Sequence, residues 1–186
     1  MSILSQLKKE LKQRFDFAYQ GARWRYEKRA LAHFLQSCPL KWQPKFSIVI
    51  PTYNIPILYL QECVESIQNQ SYTNWEICFC DDADPLSECT NYLRQLSQKF
   101  PNQIKLQIHE KNQGICAATK TALTLVTGDY VLFVDADDLL HSKALQCLAH
   151  AIDDSTVDFL YTNFSMYFQR QSFYSASTWR AAGSST

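Results

Sequence analysis

The sequence predicts an α/β domain built on a mostly parallel sheet, and three observations carry the prediction. From about Lys45 onward, apolar runs of strand length alternate with longer amphipathic stretches of helix length. Pro, Gly, Asn and Asp punctuate the junctions between them. The 186 residues, 46% hydrophobic and 13% aromatic, supply apolar material for one packed domain rather than two.

Taken in order, the strands are FSIVI (46–50), EICFC (76–80), IKLQI (104–108), YVLFV (130–134) and VDFLY (157–161), each short and rich in β-branched or aromatic residues. Helices are expected between them at about 56–70, 86–99, 114–126 and 142–152. Pro51 and Pro56 bracket the first loop, Pro85 stands where it can open a helix, and Gly128 where it can end one. YVLFV reads as a buried strand running into Asp135, Asp137 and Asp138.

Ahead of the domain, residues 2–36 have helical character, with Leu4, Leu7, Leu11 and Phe15 at helical spacing among lysines. Such a basic amphipathic arm either lies on an anionic membrane face or packs against its own domain or a partner. The expected organisation is an arm over 1–43, a domain over 44–168 and an irregular tail over 169–186.

Composition excludes several classes. The net charge is +0, which argues against a nucleic-acid or general polyanion binder, although the first 45 residues hold ten Lys and Arg against three acidic residues. The seven cysteines form no CxxC pair and no zinc spacing, so they read as buried thiols in a reducing compartment. With no run of about 18 apolar residues and no signal-peptide core, a cytoplasmic location is the default, at most peripheral at the inner face of the membrane through the arm.

Open α/β sheets place their ligands beyond the carboxyl ends of the strands. Beyond the first strand stand Pro51, Thr52, Tyr53 and Asn54; beyond the second, Asp81 and Asp82; beyond the third, residues 110–114; beyond the fourth, Asp135, Asp137 and Asp138. Asp81–Asp82 alone is most often a helix cap or a solvated turn. Four polar loops converging on one edge are a candidate site. Hard cations such as Mg²⁺ or Mn²⁺ take one or two carboxylates together with substrate phosphates. Asp135 and Asp137, two apart beyond a strand, project in nearly the same direction and suit that task.

The segments PKFSIVIPTYN (44–54), NWEICFCDDAD (74–84), NQGICAATKTAL (112–123) and TGDYVLFVDADDLL (127–140) resemble, in order and spacing, the signature segments of the family 2 glycosyltransferases. The resemblance covers roughly residues 44–165 and implies a GT-A fold, a Rossmann-like, mostly parallel sheet flanked by helices. It further implies a nucleotide-diphosphate sugar donor, a divalent metal (Mn²⁺ or Mg²⁺), an inverting transfer and a glycan or lipid-linked acceptor. Under it, Pro51, Thr52 and Tyr53 line the nucleotide pocket, Asp82 reads the base and Asp81 supports that loop. Asn112, Gly114 and Lys120 belong to the donor site, Asp137 is the principal metal ligand and Asp135 meets ribose or metal.

Two departures stand out. Lys120 occupies a position where the family commonly has Asn. No carboxylate follows Asp158, so no base for the acceptor hydroxyl is visible, and the chain reads as a donor half cut before that base. A donor-binding or assembly module without turnover is therefore the first alternative. A haloacid dehalogenase-type phosphatase is the second, because an apolar strand followed by DxD also opens that family's nucleophile motif. Three strands precede the motif here, against the first-strand position that the phosphatase reading requires.

Overall fold

The structure, a computed structural model, describes residues 40–85, 87–152 and 157–161, with strand pieces at 167–168, 171–172 and 180–181. The chain divides into two compact units, residues 42–153 and residues 1–41 with 154–186. The helical arm expected over 2–36 lies outside the described residues.

The larger unit alternates strand and helix: β1 (Phe46–Thr52), α1 (Ile57–Gln68), β2 (Trp75–Asp81), α2 (Ser87–Lys99), β3 (Ile104–Ile108), α3 (Ile115–Leu123), β4 (Tyr130–Phe133) and α4 (Ala144–Ala151). The four strands form one parallel sheet in the order β3-β2-β1-β4. Central β1 and β2 are buried on both faces, which is why they read as near-continuous apolar runs. The chain steps outward from β1 to β2 to β3, then returns across β1 to lay down β4. That reversal makes the carboxyl ends of β1 and β4 the topological switch point, where open sheets of this kind leave a crevice.

Right-handed crossovers place α1 and α2 on one face and α3 on the other, since the direction of travel reverses. On the α3 face, Val49, Cys78 and Cys80 pack against Ala118 and Ala122, small side chains that let the helix sit close to the sheet. Leu60, Cys63, Val64 and Ile67 bury the inner stripe of α1. Cys63, Cys78, Cys80 and Cys89 are buried free thiols, as their apolar positions imply, whereas Cys147 is half-buried and Cys116 is exposed, against the expectation of burial.

Two sequence expectations change. β4 is an edge strand with alternating exposure, not a buried one: Val131 is 39% and Phe133 61% exposed, because among the described residues only β1 pairs with it. The fifth strand shortens to Leu160–Tyr161 (β5), which pairs antiparallel with Arg180–Ala181 (β8) rather than joining the parallel sheet. A strand forms only where a partner ladder exists, and that partner lies in the tail expected to be irregular. Tyr167–Phe168 (β6) and Gln171–Ser172 (β7) make a second antiparallel pair in the same region. Among the described residues no helix is long and apolar enough to cross a membrane.

Candidate functional site

Hydrogen bonds between neighbouring strand ends build the site. The Thr52 carbonyl accepts from the Asp82 amide at 2.9 Å, and the His109 amide donates to the Asp81 carbonyl at 2.8 Å, so the ends of β1, β2 and β3 are tied in sequence. Thr52 is buried, whereas Tyr53 is 50% exposed beside it and offers a ring face. Asn54 follows at φ 50°, a left-handed conformation that asparagine tolerates.

The two carboxylates beyond β2 do different work. Asp81 is fully buried; its Oδ1 accepts from the Asp84 amide at 2.8 Å and its Oδ2 from the Thr90 hydroxyl at 2.5 Å, so it shapes the loop that follows. Asp82, 2% exposed, accepts from the Gln113 amide at 2.9 Å, the Gly114 amide at 2.8 Å and His109 Nδ1 at 2.6 Å. Burial works to raise the Asp82 pKa, but the bonds from His109 and the two amides outweigh it and hold the carboxyl below its ordinary range. An ionised carboxylate accepts only, so Nδ1 carries the imidazole proton.

Gly114 opens α3 at φ +89°, a conformation that presents the 113 and 114 amides to Asp82 and that side chains rarely adopt. Asn112 is exposed in the same loop, and Lys120 is exposed further along α3. Ala83 stands at φ 59° directly after Asp82. Left-handed backbone is costly for alanine, so Ala83→Gly is expected to stabilise the fold by about 0.5–1 kcal/mol in urea titration. Destabilisation by the glycine would show that Ala83 is not strained.

Across β1, the fourth loop leaves its acids exposed in a turn. Val134 and Ala136 are buried, 6% and 7% exposed, while Asp135 and Asp137 are exposed in the turn beyond β4. The Val134 amide bonds to the Val49 carbonyl at 3.2 Å, and the Asp138 amide closes a turn onto the Asp135 carbonyl at 3.0 Å. From α1 below, the Cys63 thiol donates to the Asp135 carbonyl at 3.7 Å. Burial, followed by Asp138, Asp137 and Asp135, pushes the Cys63 thiol up to about 12, so it is an inert support.

The residues fit a hard divalent cation. Among the described residues no three acidic, His or Cys groups converge into a closed cage. Two exposed neighbouring carboxylates with open space around them are what Mg²⁺ or Mn²⁺ needs when phosphate oxygens complete its shell. Asp82 and the acidic loop end strands on either side of β1, two strand spacings or about 10 Å apart. The end of β1, with Tyr53 and Asn54 beyond it, stands between them. A cleft of about 470 Å³ lined by Ile108, His109, Glu110, Lys111 and Gln113 adjoins the end of β3. It lies beside Asp82's partners rather than at the switch point, which remains the better candidate because the acids gather there.

The model of glycosyl transferase family 2 matches residues 47–184. The chain belongs to this family. The β3-β2-β1-β4 sheet with its flanking helices is accordingly of the GT-A type. The chain is 37% identical over 130 residues to a chondroitin synthase of Escherichia coli, covering 69% of this chain and 18% of that one. Among solved structures, TarS of S. aureus in complex with UDP-GlcNAc matches at 30% identity and TM-score 0.51, over 59% of this chain and 31% of that one. A mannosyltransferase from Pyrobaculum calidifontis in complex with GDP-Man and Mn²⁺ matches at 27% identity and TM-score 0.53, over 75% and 42%. The chain thus spans between about an eighth and a half of the length of the curated relatives it matches. Membership in the family also removes the phosphatase alternative, whose motif belongs on a first strand, whereas this one follows the fourth.

Sequence reasoning named Pro51, Thr52, Tyr53, Asp81, Asp82, Asn112, Gly114, Lys120, Asp135 and Asp137; the topology brings the strand-end loops that carry all but Lys120 to one edge, and Lys120 lies in the last turn of α3. Sequence reasoning missed His109 and the Gln113 amide. The available signal was a histidine immediately after an apolar strand, a position that reads equally well as an ordinary turn.

Proposed function

We propose that this chain binds a nucleotide-diphosphate sugar across the β1 crevice and takes part in inverting sugar transfer to a glycan or lipid-linked acceptor. The observation that carries the reading is the division of labour at the edge. A buried carboxylate fixed by three donors lies on one side of β1, and a pair of outward carboxylates on the other. Asp82 accepts an N–H of the base, Tyr53 and Thr52 line the nucleoside, and Asp137 with Asp135 holds the cation. A bound divalent cation neutralises the charge that develops on the departing diphosphate. Asn112, Gly114 and Lys120 flank the donor from the α3 side. The acceptor class rests on the relatives, which include a chondroitin synthase and an Escherichia coli glucosyltransferase whose name specifies a diphosphoundecaprenol-linked acceptor.

Ligand that binds only the folded state stabilises it by about 2.7 kcal/mol at a hundredfold excess over Kd. For a chain of this length that amounts to a rise in Tm of about 5–10 °C. Such a rise is expected with UDP- or GDP-sugars plus Mn²⁺, and less without the metal. An unchanged Tm with every nucleotide sugar at millimolar concentration would defeat the donor-site reading.

A further inference from the structure

We propose that His109 is a positioning residue for nucleobase selection, acting through Asp82. This rests on the reading of Asp82 as the base-contacting group. The terminal torsion of an aspartate is broad and roughly two-fold, so a carboxylate keeps one orientation only where its neighbours impose it. A carboxylate offers about four acceptor positions. At Asp82, Oδ1 takes His109 Nδ1 and the Gln113 amide, and Oδ2 takes the Gly114 amide, leaving one position for a ligand N–H.

The imidazole is itself fixed. Its side chain is 8% exposed, and Nε2 faces the Thr121 hydroxyl at 2.8 Å and the Cys80 thiol at 3.4 Å. Both groups can donate, which suits the tautomer with the proton on Nδ1. The network therefore runs from α3 through Thr121, across the end of β3 at His109, to the loop after β2 at Asp82. It delivers a carboxylate whose remaining lone pair has a set direction. An acceptor so fixed favours bases with a ring N–H at the centre of the pairing edge, such as the N3–H of uracil or the N1–H of guanine. It opposes cytosine, whose N3 is itself an acceptor.

The test is calorimetric titration of the full chain with UDP, GDP and CDP in the presence of Mn²⁺. The parent is expected to bind UDP or GDP about tenfold or more tighter than CDP. His109→Ala and His109→Phe are expected to reduce that ratio to about threefold or less, because the freed carboxylate accommodates either edge. His109→Asn, whose amide still reaches toward Oδ1, restores most of the ratio. Thr121→Val keeps the side-chain shape but removes the hydroxyl at Nε2, and lowers the ratio by about threefold. Equal weakening of all three nucleotides, with the ratio kept, would assign His109 a merely structural role and overturn the inference. Asp82→Asn separates the two layers. If it collapses the ratio while the His109 variants do not, only the role of His109 fails. If it leaves the ratio intact, or the parent shows none, the base-contact reading fails as well. Should His109→Ala not fold, His109→Asn and Thr121→Val decide the matter.

Discussion

Asp137→Ala is expected to remove the metal-dependent part of donor binding and to lower any sugar transfer by about 10³-fold, equivalent to about 4 kcal/mol. The size follows from the small number of protein ligands. Where one or two carboxylates and the substrate's own phosphates make up the shell, losing one carboxylate removes much of what the protein contributes. Asp137 is exposed, so its replacement leaves the fold intact to within about 0.5 kcal/mol. Asp138 provides the internal comparison. Its carboxyl is pushed upward by partial burial and then by its neighbours Asp135 and Asp137, so its charged form is less favoured than that of an ordinary aspartate. Asp138→Ala should accordingly cost far less than Asp137→Ala. Titration of a nucleotide sugar with and without Mn²⁺ reads both variants. Equal Mn²⁺ enhancement in Asp137→Ala and the parent would remove Asp137 from the metal site.

The main features of this arrangement were legible in the sequence because they depend on one-dimensional patterns. The strands expected at 46–50, 76–80 and 104–108 fall within the observed Phe46–Thr52, Trp75–Asp81 and Ile104–Ile108; the first two are apolar runs buried on both faces, and the third, an edge strand, shows the alternation of apolar and polar residues. The strand-end acids were legible for the same reason: parallel topology puts all such loops on one edge. What could not be read depends on register. The exposure of Phe133 follows from β4 being an edge, and strand order is not written in a local run. The short β5 follows from pairing with a distant segment. His109 gains its meaning only because β3 ends level with Asp81, a relation fixed by the Asp81↔Ile108 register. Glu76 was hidden inside EICFC, where it appeared as the polar start of an apolar strand.

That residue carries the largest expected effect on stability. Glu76 is fully buried at the amino end of β2, level with Ser47 of β1. It accepts from Lys45 Nζ at 2.5 Å, Ser47 Oγ at 2.7 Å, the Thr127 amide at 2.7 Å and the Thr127 hydroxyl at 2.8 Å, with Lys105 Nζ at 3.1 Å. One carboxylate thereby joins three strands to the turn that leads into β4. In that turn, a Cβ on Gly128 would lie 2.5 Å from the Lys45 carbonyl and 2.7 Å from Ser47 Oγ, so the packing leaves no room for a side chain. Burial raises the Glu76 pKa, but the donors of Lys45, Ser47 and Thr127 outweigh it and pull the group from its ordinary 4.5 to about 2. A carboxyl with a depressed folded-state pKa stabilises the fold above its unfolded value. That stabilisation, about 3 kcal/mol, disappears as pH falls from the ordinary value through the depressed one. Glu76→Ala removes the shared acceptor of the buried Ser47 hydroxyl and of the partly buried Lys45 and Lys105 ammonium groups, and is expected to cost about 3–5 kcal/mol. Glu76→Gln keeps the shape but turns an amide N–H₂ toward groups that are themselves donors, at a cost of about 3 kcal/mol. Urea titrations between pH 2 and pH 7 separate the effects. The parent should lose stability steeply on the acid side, while the Gln variant starts lower and shows a flatter acid limb. A Gln variant within about 0.5 kcal/mol of the parent at pH 7, or with the parent's acid limb, would show that the charge on Glu76 contributes nothing to holding the base of the sheet.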